Sequence, residues 1–194
     1  MMTTYHAVSE PPALVARAKA LAHQMGFEQS CLPEVGRLLA VLTASIDRGT
    51  IGELGTGTGV GSAWMTSRLR PGVRFVTVEI DRERTEAARN VLRGVPEVDV
   101  IEGDWRLILD RGPFALLFAD GGKAKASEPE TLLHALALGG MIVLDDLTPE
   151  DQWPVEWRGR PDPVREFWLN DPHLIATEVL TTPTSAVILA TRRS

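Results

Sequence analysis

A glycine-rich stretch in the first third of the chain constrains the fold more than any other segment. Residues 51–61 are Ile-Gly-Glu-Leu-Gly-Thr-Gly-Thr-Gly-Val-Gly, so a short apolar run breaks into alternating glycines and continues into a helical pattern. Glycine adopts positive φ angles and lets a ligand approach the main chain, where a Cβ atom would collide. The stretch therefore predicts a strand, a tight turn and a helix, with a ligand at the carboxyl end of the strand.

The spacing of these glycines argues against a nicotinamide dinucleotide as the ligand. The dinucleotide fingerprint needs glycines at relative positions one, three and six, but counting from Gly55 or Gly57 places Val60 or Ser62 at position six. Glu53 lies just before the turn, and its carboxylate would repel a pyrophosphate but suits an ammonium or sulfonium charge. The simpler alternative for so short a motif is a structural turn without a ligand.

The composition is that of one globular domain, which we expect to span residues 1–194. Hydrophobic residues make up 44% of the chain, and the net charge of −6 gives no general attraction for nucleic acid. Cys31 is the single cysteine, so no intrachain disulfide can form, and we expect a cytoplasmic protein. Met1–Glu10 lacks the pattern of a signal peptide and no apolar run is long enough to span a membrane, so no membrane association is expected.

Strand and helix patterns alternate through the middle of the chain, after two amphipathic helices predicted at residues 13–25 and 33–46. The predicted elements are strands at 50–54, 73–79, 98–101, 114–119 and 141–144, with helices at 60–69, 82–93 and 129–138 between them. This alternation predicts a mainly parallel sheet with right-handed crossovers and helices on both faces. The continuously apolar runs at 114–119 and 141–144 are typical of central strands.

The end of the chain follows a different pattern. After a helix predicted at residues 164–169, two strands at 173–181 and 185–191 are joined by three residues, Thr182-Pro183-Thr184. Because that connection is too short for a crossover, the two strands must pair antiparallel. The sequence thus predicts an α/β fold that ends in an antiparallel hairpin.

Carboxylates follow several of the predicted strands. Glu79 ends the second strand and could accept both hydroxyls of a ribose, or it could cap the next helix or pair with Arg82. Asp120, Asp145 and Asp146 follow two strands that we expect to be neighbours, so all three should meet at one edge of the sheet. Like charges held together are unfavourable, and a hard divalent cation with oxygen ligands would resolve the repulsion. The alternative is that the three aspartates are helix caps or solvated loop residues.

These features resemble a known enzyme family. Glu-Leu-Gly-Thr-Gly-Thr-Gly at residues 53–59 resembles motif I of the class I S-adenosylmethionine-dependent methyltransferases. Asp120, Lys123 three residues later, and the Asp145–Asp146 pair resemble the cation-dependent O-methyltransferases of the catechol and caffeoyl-CoA type. The resemblance runs from about Cys31 to the C-terminus. It implies a Rossmann-like methyltransferase fold with a seven-stranded, mostly parallel sheet, and methyl transfer to a hydroxyl of a small, catechol-like acceptor.

The resemblance also implies roles for individual residues. The residues implied to contact S-adenosylmethionine are Glu53, Gly55, Thr56, Gly57, Glu79, Ile80, Asp104, Trp105 and Asp120. A divalent cation, Mg²⁺ by resemblance, would be bound by Asp120, Asp145 and Asp146. Lys123, with Asp120, would serve catalysis by assisting deprotonation of the acceptor, unless Lys123 is simply a surface lysine near Lys125. Trp105 would stack on the adenine or belong to the core.

The sequence departs from the family pattern at three places. Asp146 stands where an asparagine is usual, which leaves three anionic ligands for the metal instead of two. Gly121-Gly122 replace bulkier residues, and Thr184-Ser185-Ala186 stands where Gly-Asp-Gly is common. These departures leave the identity of the acceptor open.

A loop at residues 148–162 carries Trp153 and Trp157 and has two interpretations. It could form a wall that recognises an aromatic acceptor, or it could form a subunit interface, and the family resemblance favours a homodimer.

Two other functions are compatible with the fold. Methylation of transfer RNA is disfavoured by the acidic net charge, although Arg106, Arg111, Arg158 and Arg160 could form a basic patch. A non-catalytic binder of S-adenosylmethionine would need neither the aspartates nor Lys123.

Overall fold

Seven strands form one mixed sheet in the computed structural model of the chain. The described part comprises residues 10–120 and 122–194, apart from the side chains at 122 and 123. The strands are β1 Thr50–Leu54, β2 Arg74–Glu79, β3 Val98–Glu102, β4 Phe114–Ala119, β5 Leu136–Leu147, β6 Leu174–Thr182 and β7 Ser185–Arg192. Their order is β3-β2-β1-β4-β5-β7-β6, and β7 runs antiparallel to both of its neighbours. The predicted parallel sheet with an antiparallel C-terminal hairpin is confirmed.

The strand order creates the position where a ligand can bind. The chain builds the sheet outward from β1 through β2 to β3, then returns to place β4 on the other side of β1. Connections leaving β1 and β4 therefore run in opposite directions, which opens a crevice beyond their carboxyl ends. The glycine-rich turn follows β1, and Asp120 follows β4, so both lie at this crevice.

In the described part of the chain, seven α-helices and two short 3-10 helices surround the sheet. They are α1 Ala13–Gln24, α2 Pro33–Ser45, α3 Val60–Thr66, α4 Arg82–Leu92, α5 Gly122–Ser127, α6 Pro129–Ala135 and α7 Pro163–Asn170, with 3-10 helices at Trp105–Arg111 and Glu150–Gln152. Proline begins α2, α6 and α7, where the first amide has no helical partner to lose. Asp81 and Asp162 cap α4 and α7 by accepting hydrogen bonds from first-turn amides.

The central strands pack both of their faces into apolar cores. Leu116 and Phe118 of β4 point into a core shared with α1, α2 and α3, whereas Leu117 and Ala119 point into a core shared with α6 and α7. Successive side chains of a strand alternate between the two faces of a sheet, so a strand covered on both faces must be apolar throughout. The continuously apolar sequence of residues 114–119 has this cause.

Helix α3, which follows the glycine-rich turn, is buried along its whole length. It lies against α1 and α2, and Gly36 of α2 packs directly on the indole of Trp64. A Cβ atom at position 36 would lie 2.2 Å from that ring, so the close approach of the two helices requires glycine there. This packing holds the link between α1 and α2 beside the turn.

One boundary differs clearly from its prediction. The helix predicted at residues 129–138 ends at Ala135, and β5 begins at Leu136 instead of Met141. Leu136 pairs with Phe114 of β4, and the register then shifts before Leu116 pairs with Met141. Gly139 has a φ of +76°, and a Cβ on Gly140 would lie 2.5 Å from the carbonyl oxygen of Phe114. The two glycines thus let the strand bend, where the apolar pattern alone predicts more helix.

Across the described residues, no helix is both long enough and apolar enough to cross a lipid bilayer. The predicted absence of a signal peptide concerns Met1–Glu10, of which residues 1–9 lie outside the described part.

Candidate functional site

A cavity of about 690 Å³ opens at the carboxyl ends of the central strands. One side is formed by the turn after β1 and by Glu79 at the end of β2, and the opposite side by Asp120, Asp145 and Asp146. The link between α1 and α2, residues 27–32, closes a third side. The cavity is large enough for a nucleoside-sized ligand and lies where open α/β sheets bind one.

The turn after β1 requires its glycines for two separate reasons. Gly55, Gly57 and Gly59 have φ angles of +89°, +53° and +89°, a region that other residues rarely adopt. In addition, a Cβ on Gly55 would lie 2.3 Å from the carbonyl oxygen of Asp120. The amides of Gly55 and Thr56 donate to the carbonyl of Val78 at 3.0 and 3.1 Å, which ties the turn to β2. The turn predicted from sequence is therefore present and rigidly held.

Glu53, predicted to contact the methyl donor, lies buried beneath this turn. Its Oε2 accepts hydrogen bonds from the hydroxyls of Ser62 and Thr77, the latter at 2.7 Å. Burial nevertheless raises the pKa of Glu53 from 4.5 to about 8. Gly61 lines the cavity and leaves room for Glu53, because a Cβ at position 61 would lie 2.5 Å from Oε1. Glu53 itself is not among the described residues that line the cavity, so its contact with the methyl donor stays a prediction.

Glu79 lines the cavity and joins the two turns on either side of it. Its Oε2 accepts from the amide of Gly57 at 2.8 Å, while Oε1 accepts from the amide of Asp81 at 3.0 Å. Arg84 lies 3.1 Å from Oε1, whereas Arg82, the partner considered from the sequence, pairs with Glu86 instead. Because a carboxylate oxygen can accept two hydrogen bonds, Oε2 retains the capacity to accept one more from a ligand.

Three other residues predicted to bind the donor lie away from this cavity. Ile80 is 72% exposed. Asp104 caps the 3-10 helix that follows it by accepting from the amide of Arg106 at 3.0 Å, a hydrogen bond that lowers the pKa of Asp104. Trp105 packs against the core of α6 and α7, with the Arg106 guanidinium 4.7 Å from its ring centroid. None of the three is among the described residues that line the cavity, and their contact with adenine stays a prediction.

The three aspartates at the opposite side converge as their positions in the chain predict. One carboxylate oxygen from each of Asp120, Asp145 and Asp146 lies within 4.8 Å of the others. Asp145 and Asp146 are successive residues of β5 and would face opposite sides of a regular strand. The pairing of β5 with β7 shifts between Leu144 and Leu147, and Asp146 has a φ of +60°. This bulge turns the two carboxylates toward one point.

The convergence of these aspartates perturbs their acidity. Burial, followed by the charges of Asp146 and Asp145, raises the pKa of Asp120 well above its usual range. Burial also raises the pKa of Asp145 to about 6. Among the described residues, no lysine, arginine or histidine forms a salt bridge with the three aspartates. Three hard oxygen donors that together carry more negative charge than the nearby Lys125 can offset fit a divalent cation such as Mg²⁺.

Lys125 is a residue of this site that the sequence did not indicate. Its side chain is buried, and its Nζ donates to the backbone carbonyl of Asp145. Burial lowers the pKa of Lys125, while the carboxylates of Asp146, Asp145 and Asp120 oppose that shift. Its own carbonyl accepts from the indole of Trp168 at 3.1 Å, which fixes α5 against α7. Lys125 therefore holds the strand that carries two of the aspartates.

Lys123, predicted to assist deprotonation of the acceptor, is the second residue of α5. Its side chain lies outside the described residues, so its catalytic role stays a prediction.

Cys31, expected to be a small apolar residue, lines the cavity and is buried. Burial and the nearby carboxylates raise the pKa of its thiol, which disfavours a reactive thiolate.

The loop after β5 forms a second cavity of about 310 Å³ beside the first. Asp146 lines both cavities, and the indoles of Trp153 and Trp157 line the second. The tryptophans of this region differ in exposure, since Trp157 is 49% exposed whereas Trp153 is buried and Trp168 is fully enclosed. Of the three, only Trp157 presents much apolar surface to a ligand or a partner subunit.

Comparison with known families agrees with this geometry. A family model described as a methyltransferase domain matches residues 53–147, which include the glycine-rich turn and all three aspartates. A catechol O-methyltransferase of Mycobacterium tuberculosis is 31% identical over 153 residues, covering 72% of this chain and 67% of the relative. A protein of Mycobacterium sp. strain JLS described as an O-methyltransferase is 29% identical over 142 residues, or 68% of this chain. That match spans 63% of the Mycobacterium sp. protein, less than two thirds of its length.

Solved structures of similar fold cover nearly the whole chain. The O-methyltransferase TomG of Streptomyces achromogenes, solved in complex with SAM, superposes with a TM-score of 0.80 and 24% identity over 98% of this chain and 93% of its own. An O-methyltransferase of Bacillus cereus in complex with SAH gives a TM-score of 0.79 and 22% identity over 97% of this chain and 94% of its own. At these identities the two structures establish a common fold.

Proposed function

Because the chain belongs to the O-methyltransferases among the class I S-adenosylmethionine-dependent methyltransferases, we propose that it transfers a methyl group from S-adenosylmethionine to a hydroxyl of a small acceptor with the help of a divalent cation. The observation that carries the proposal is one cavity with two chemically distinct sides. A glycine-rich turn and Glu79 form one side, and three convergent carboxylates form the other. We place this activity in one domain spanning residues 1–194.

The donor side suits a nucleoside with a positive charge. The glycines after β1 leave the main chain open to a ligand, and Glu79 retains an acceptor site for a ribose hydroxyl. When bound, S-adenosylmethionine supplies a methyl group already activated by its sulfonium charge. Glu53 supports this side from below by fixing Ser62 and Thr77, and Asp120 closes it through its contact with Gly55.

The acceptor side suits a chelated cation. Asp120, Asp145 and Asp146 would hold Mg²⁺, which as a Lewis acid lowers the pKa of an acceptor hydroxyl. Lys125 keeps Asp145 in position through its backbone carbonyl. Lys123, as the neutral amine, would accept the proton of the acceptor hydroxyl, so that the oxygen attacks the methyl carbon as an alkoxide or phenolate. The carbon–sulfur bond then breaks and S-adenosylhomocysteine leaves as a neutral thioether. The protein otherwise has to align the two reacting centres.

We further propose a cytoplasmic homodimer that does not bind nucleic acid. The single cysteine supports the cytoplasmic location. The net charge of −6 supports the lack of an RNA substrate. The half-exposed Trp157 supports an interface or an acceptor wall in the loop after β5.

The test combines calorimetry with a transfer assay on the full chain. We expect S-adenosylmethionine to bind with or without Mg²⁺, and catechol to be methylated with Mg²⁺ but not with excess chelator. A protein that fails to bind S-adenosylmethionine would contradict the whole proposal. Transfer that continues undiminished in chelator would contradict the role of the cation alone.

A further inference from the structure

The second cavity combines features that specify the chemistry of the acceptor. It lies between the loop at residues 148–162 and the start of α7, and Asp146 joins it to the larger cavity. A molecule bound there reaches the carboxylates with one end while its other end remains in the second cavity. At about 310 Å³, the cavity lies at the lower end of small-molecule sites, so it suits one ring rather than a bulky ester.

The residues that line this cavity favour a flat, apolar ligand. Trp153 is fixed by a hydrogen bond from its indole nitrogen to the carbonyl of Thr148 at 2.9 Å, with the Arg165 guanidinium 5.4 Å from its ring centroid. Trp157 contributes a second indole that is half exposed, and Pro161 and Pro163 complete the apolar lining. Trp157 and the two prolines form an apolar surface against which an aromatic ring packs well.

The two arginines that line the cavity differ in the partners of their guanidinium groups. Arg165 uses four of its five N–H donors within the protein, because it donates to both oxygens of Glu178 at 2.7 and 2.8 Å, to Asp162, and to the carbonyl of Thr148 at 2.8 Å. Asp162 is also occupied, since its Oδ1 caps α7 while its Oδ2 accepts from Arg165. Arg160 lines the same cavity, and among the described residues no carboxylate lies within 4.0 Å of its guanidinium.

We infer that the acceptor is a hydroxylated aromatic acid whose ring packs against the exposed indole of Trp157 and whose carboxylate is bound by Arg160. This inference rests on the proposed function, because it takes the carboxylates around Asp146 as the place where the hydroxyl is methylated. A guanidinium binds a carboxylate with two parallel hydrogen bonds and so fixes its direction as well as its charge. With acidic groups at one end and Arg160 at the other, the acceptor has one favourable orientation.

The experiment compares two probes that differ in the carboxylate. Dissociation constants of 3,4-dihydroxybenzoate and of catechol are measured by tryptophan fluorescence with Mg²⁺ and S-adenosylhomocysteine present. We expect the native protein to bind 3,4-dihydroxybenzoate roughly tenfold more tightly than catechol, a modest preference because Arg160 is exposed to solvent. In Arg160→Met the ratio of the two constants should fall to about one, and Arg160→Lys should retain part of it.

Arg70→Met is the matched control. Arg70 is exposed and lines neither cavity, so its replacement removes the same charge without changing the preference. An equal affinity for the two probes in the native protein would overturn the inference, as would a preference that survives in Arg160→Met.

The same experiment separates this inference from the proposed function. If neither probe is methylated but the native protein keeps an Arg160-dependent preference, the binding of a carboxylate by Arg160 stands and the methyl-transfer proposal fails. If both probes are methylated at equal efficiency and bind equally, the methyl-transfer proposal stands and the role of Arg160 is wrong.

Discussion

The two sides of the large cavity both carry carboxyl groups, but they differ in the hydrogen-bond donors and charges that surround those groups. On the donor side, Glu53 accepts hydrogen bonds from two hydroxyls, and Glu79 accepts from two amides and pairs with Arg84. On the acceptor side, the three aspartates converge, and the one buried ammonium among the described residues there, on Lys125, donates to a carbonyl instead. The donor-side acids therefore find their hydrogen-bond donors within the protein, whereas the three acceptor-side aspartates carry more negative charge than Lys125 offsets.

This difference separates two kinds of buried acid. A carboxylate with enough donors is a structural group that orders the turns around it, and it needs nothing from a ligand. Carboxylates that face one another without donors destabilise the folded state until a cation binds. We therefore expect substitutions on the donor side to act mainly on stability and substitutions on the acceptor side to act mainly on the cation and on transfer.

The largest effect is expected from Asp145→Ala. Removing a buried ligand should lower the rate of methyl transfer by at least about 10³-fold, roughly 4 kcal/mol of transition-state stabilisation. Because Asp145 lies opposite the glycine-rich turn, the affinity for S-adenosylmethionine measured by calorimetry should change by less than about threefold. Asp151→Ala, an exposed acid of the loop after β5, is the control and should alter neither quantity. A parallel loss of donor binding and transfer in Asp145→Ala would remove the distinction between the two sides.

The next largest effect is a change in the pH dependence of stability in Glu53→Gln. The folded protein holds a proton on Glu53 up to about pH 8, whereas the unfolded chain releases it near pH 4.5. The folded state therefore binds more protons between these values, and the free energy of unfolding should fall as pH rises through the window. The contribution of Glu53 is on the order of 4 kcal/mol by pH 8, and the glutamine should abolish it.

Urea denaturation at pH 5, 6.5 and 8 measures this slope. Glu86→Gln, which replaces an exposed glutamate paired with Arg82, serves as the control and should keep the slope of the native protein. If the free energies of unfolding of Glu53→Gln and the native protein fall in parallel as pH rises, then Glu53 is ionised in the folded state. The prediction that the folded protein keeps Glu53 protonated would then be wrong.

A smaller effect is expected from Gly55→Ala, which tests the contact between the two sides. Alanine at this position is strained by the φ of +89° and brings its Cβ within 2.3 Å of the Asp120 carbonyl. Gly72→Ala is matched in backbone geometry, with a φ of +83°, but meets no atom within 4 Å. We expect a loss of about 1 kcal/mol in unfolding free energy for Gly72→Ala and about 2 kcal/mol for Gly55→Ala. Equal losses would mean that the turn and Asp120 are not coupled.

The convergence of the aspartates was predictable from sequence because it depends on topology. Asp120 and Asp145 each follow an apolar run, and two parallel central strands must bring their carboxyl ends to one edge. Strands β1 and β4 begin and end at the predicted residues for the same reason, since their apolar runs end abruptly in glycine or aspartate.

The remaining details of the site depend on contacts between distant segments. The direction of Asp146 is set by a bulge that forms against β7, some 40 residues later in the chain. Lys125 is buried because Trp168 of α7 covers α5, whereas its local sequence is that of a surface helix. Asp104 caps a 3-10 helix that apolar periodicity does not indicate, because such a helix has too few turns to show a periodic pattern.

The smallest effect, and the most specific to the acceptor side, is expected from Asp146→Asn. Asparagine tolerates the φ of +60° as well as aspartate does, so the substitution removes a charge without straining the backbone. In excess chelator the variant should be more stable than the native protein by roughly 0.5–1 kcal/mol, because Asp120 and Asp145 lose a repulsive neighbour. The same substitution should weaken cation binding: calorimetry should show an affinity for Mg²⁺ lower by about tenfold, because one anionic ligand becomes neutral. Asp47→Asn, at an exposed position outside both cavities, should change neither quantity.

A gain in stability without weaker Mg²⁺ binding would show that Asp146 repels its neighbours without taking part in a metal site. A loss of stability would mean that the charges of the acceptor side are already balanced.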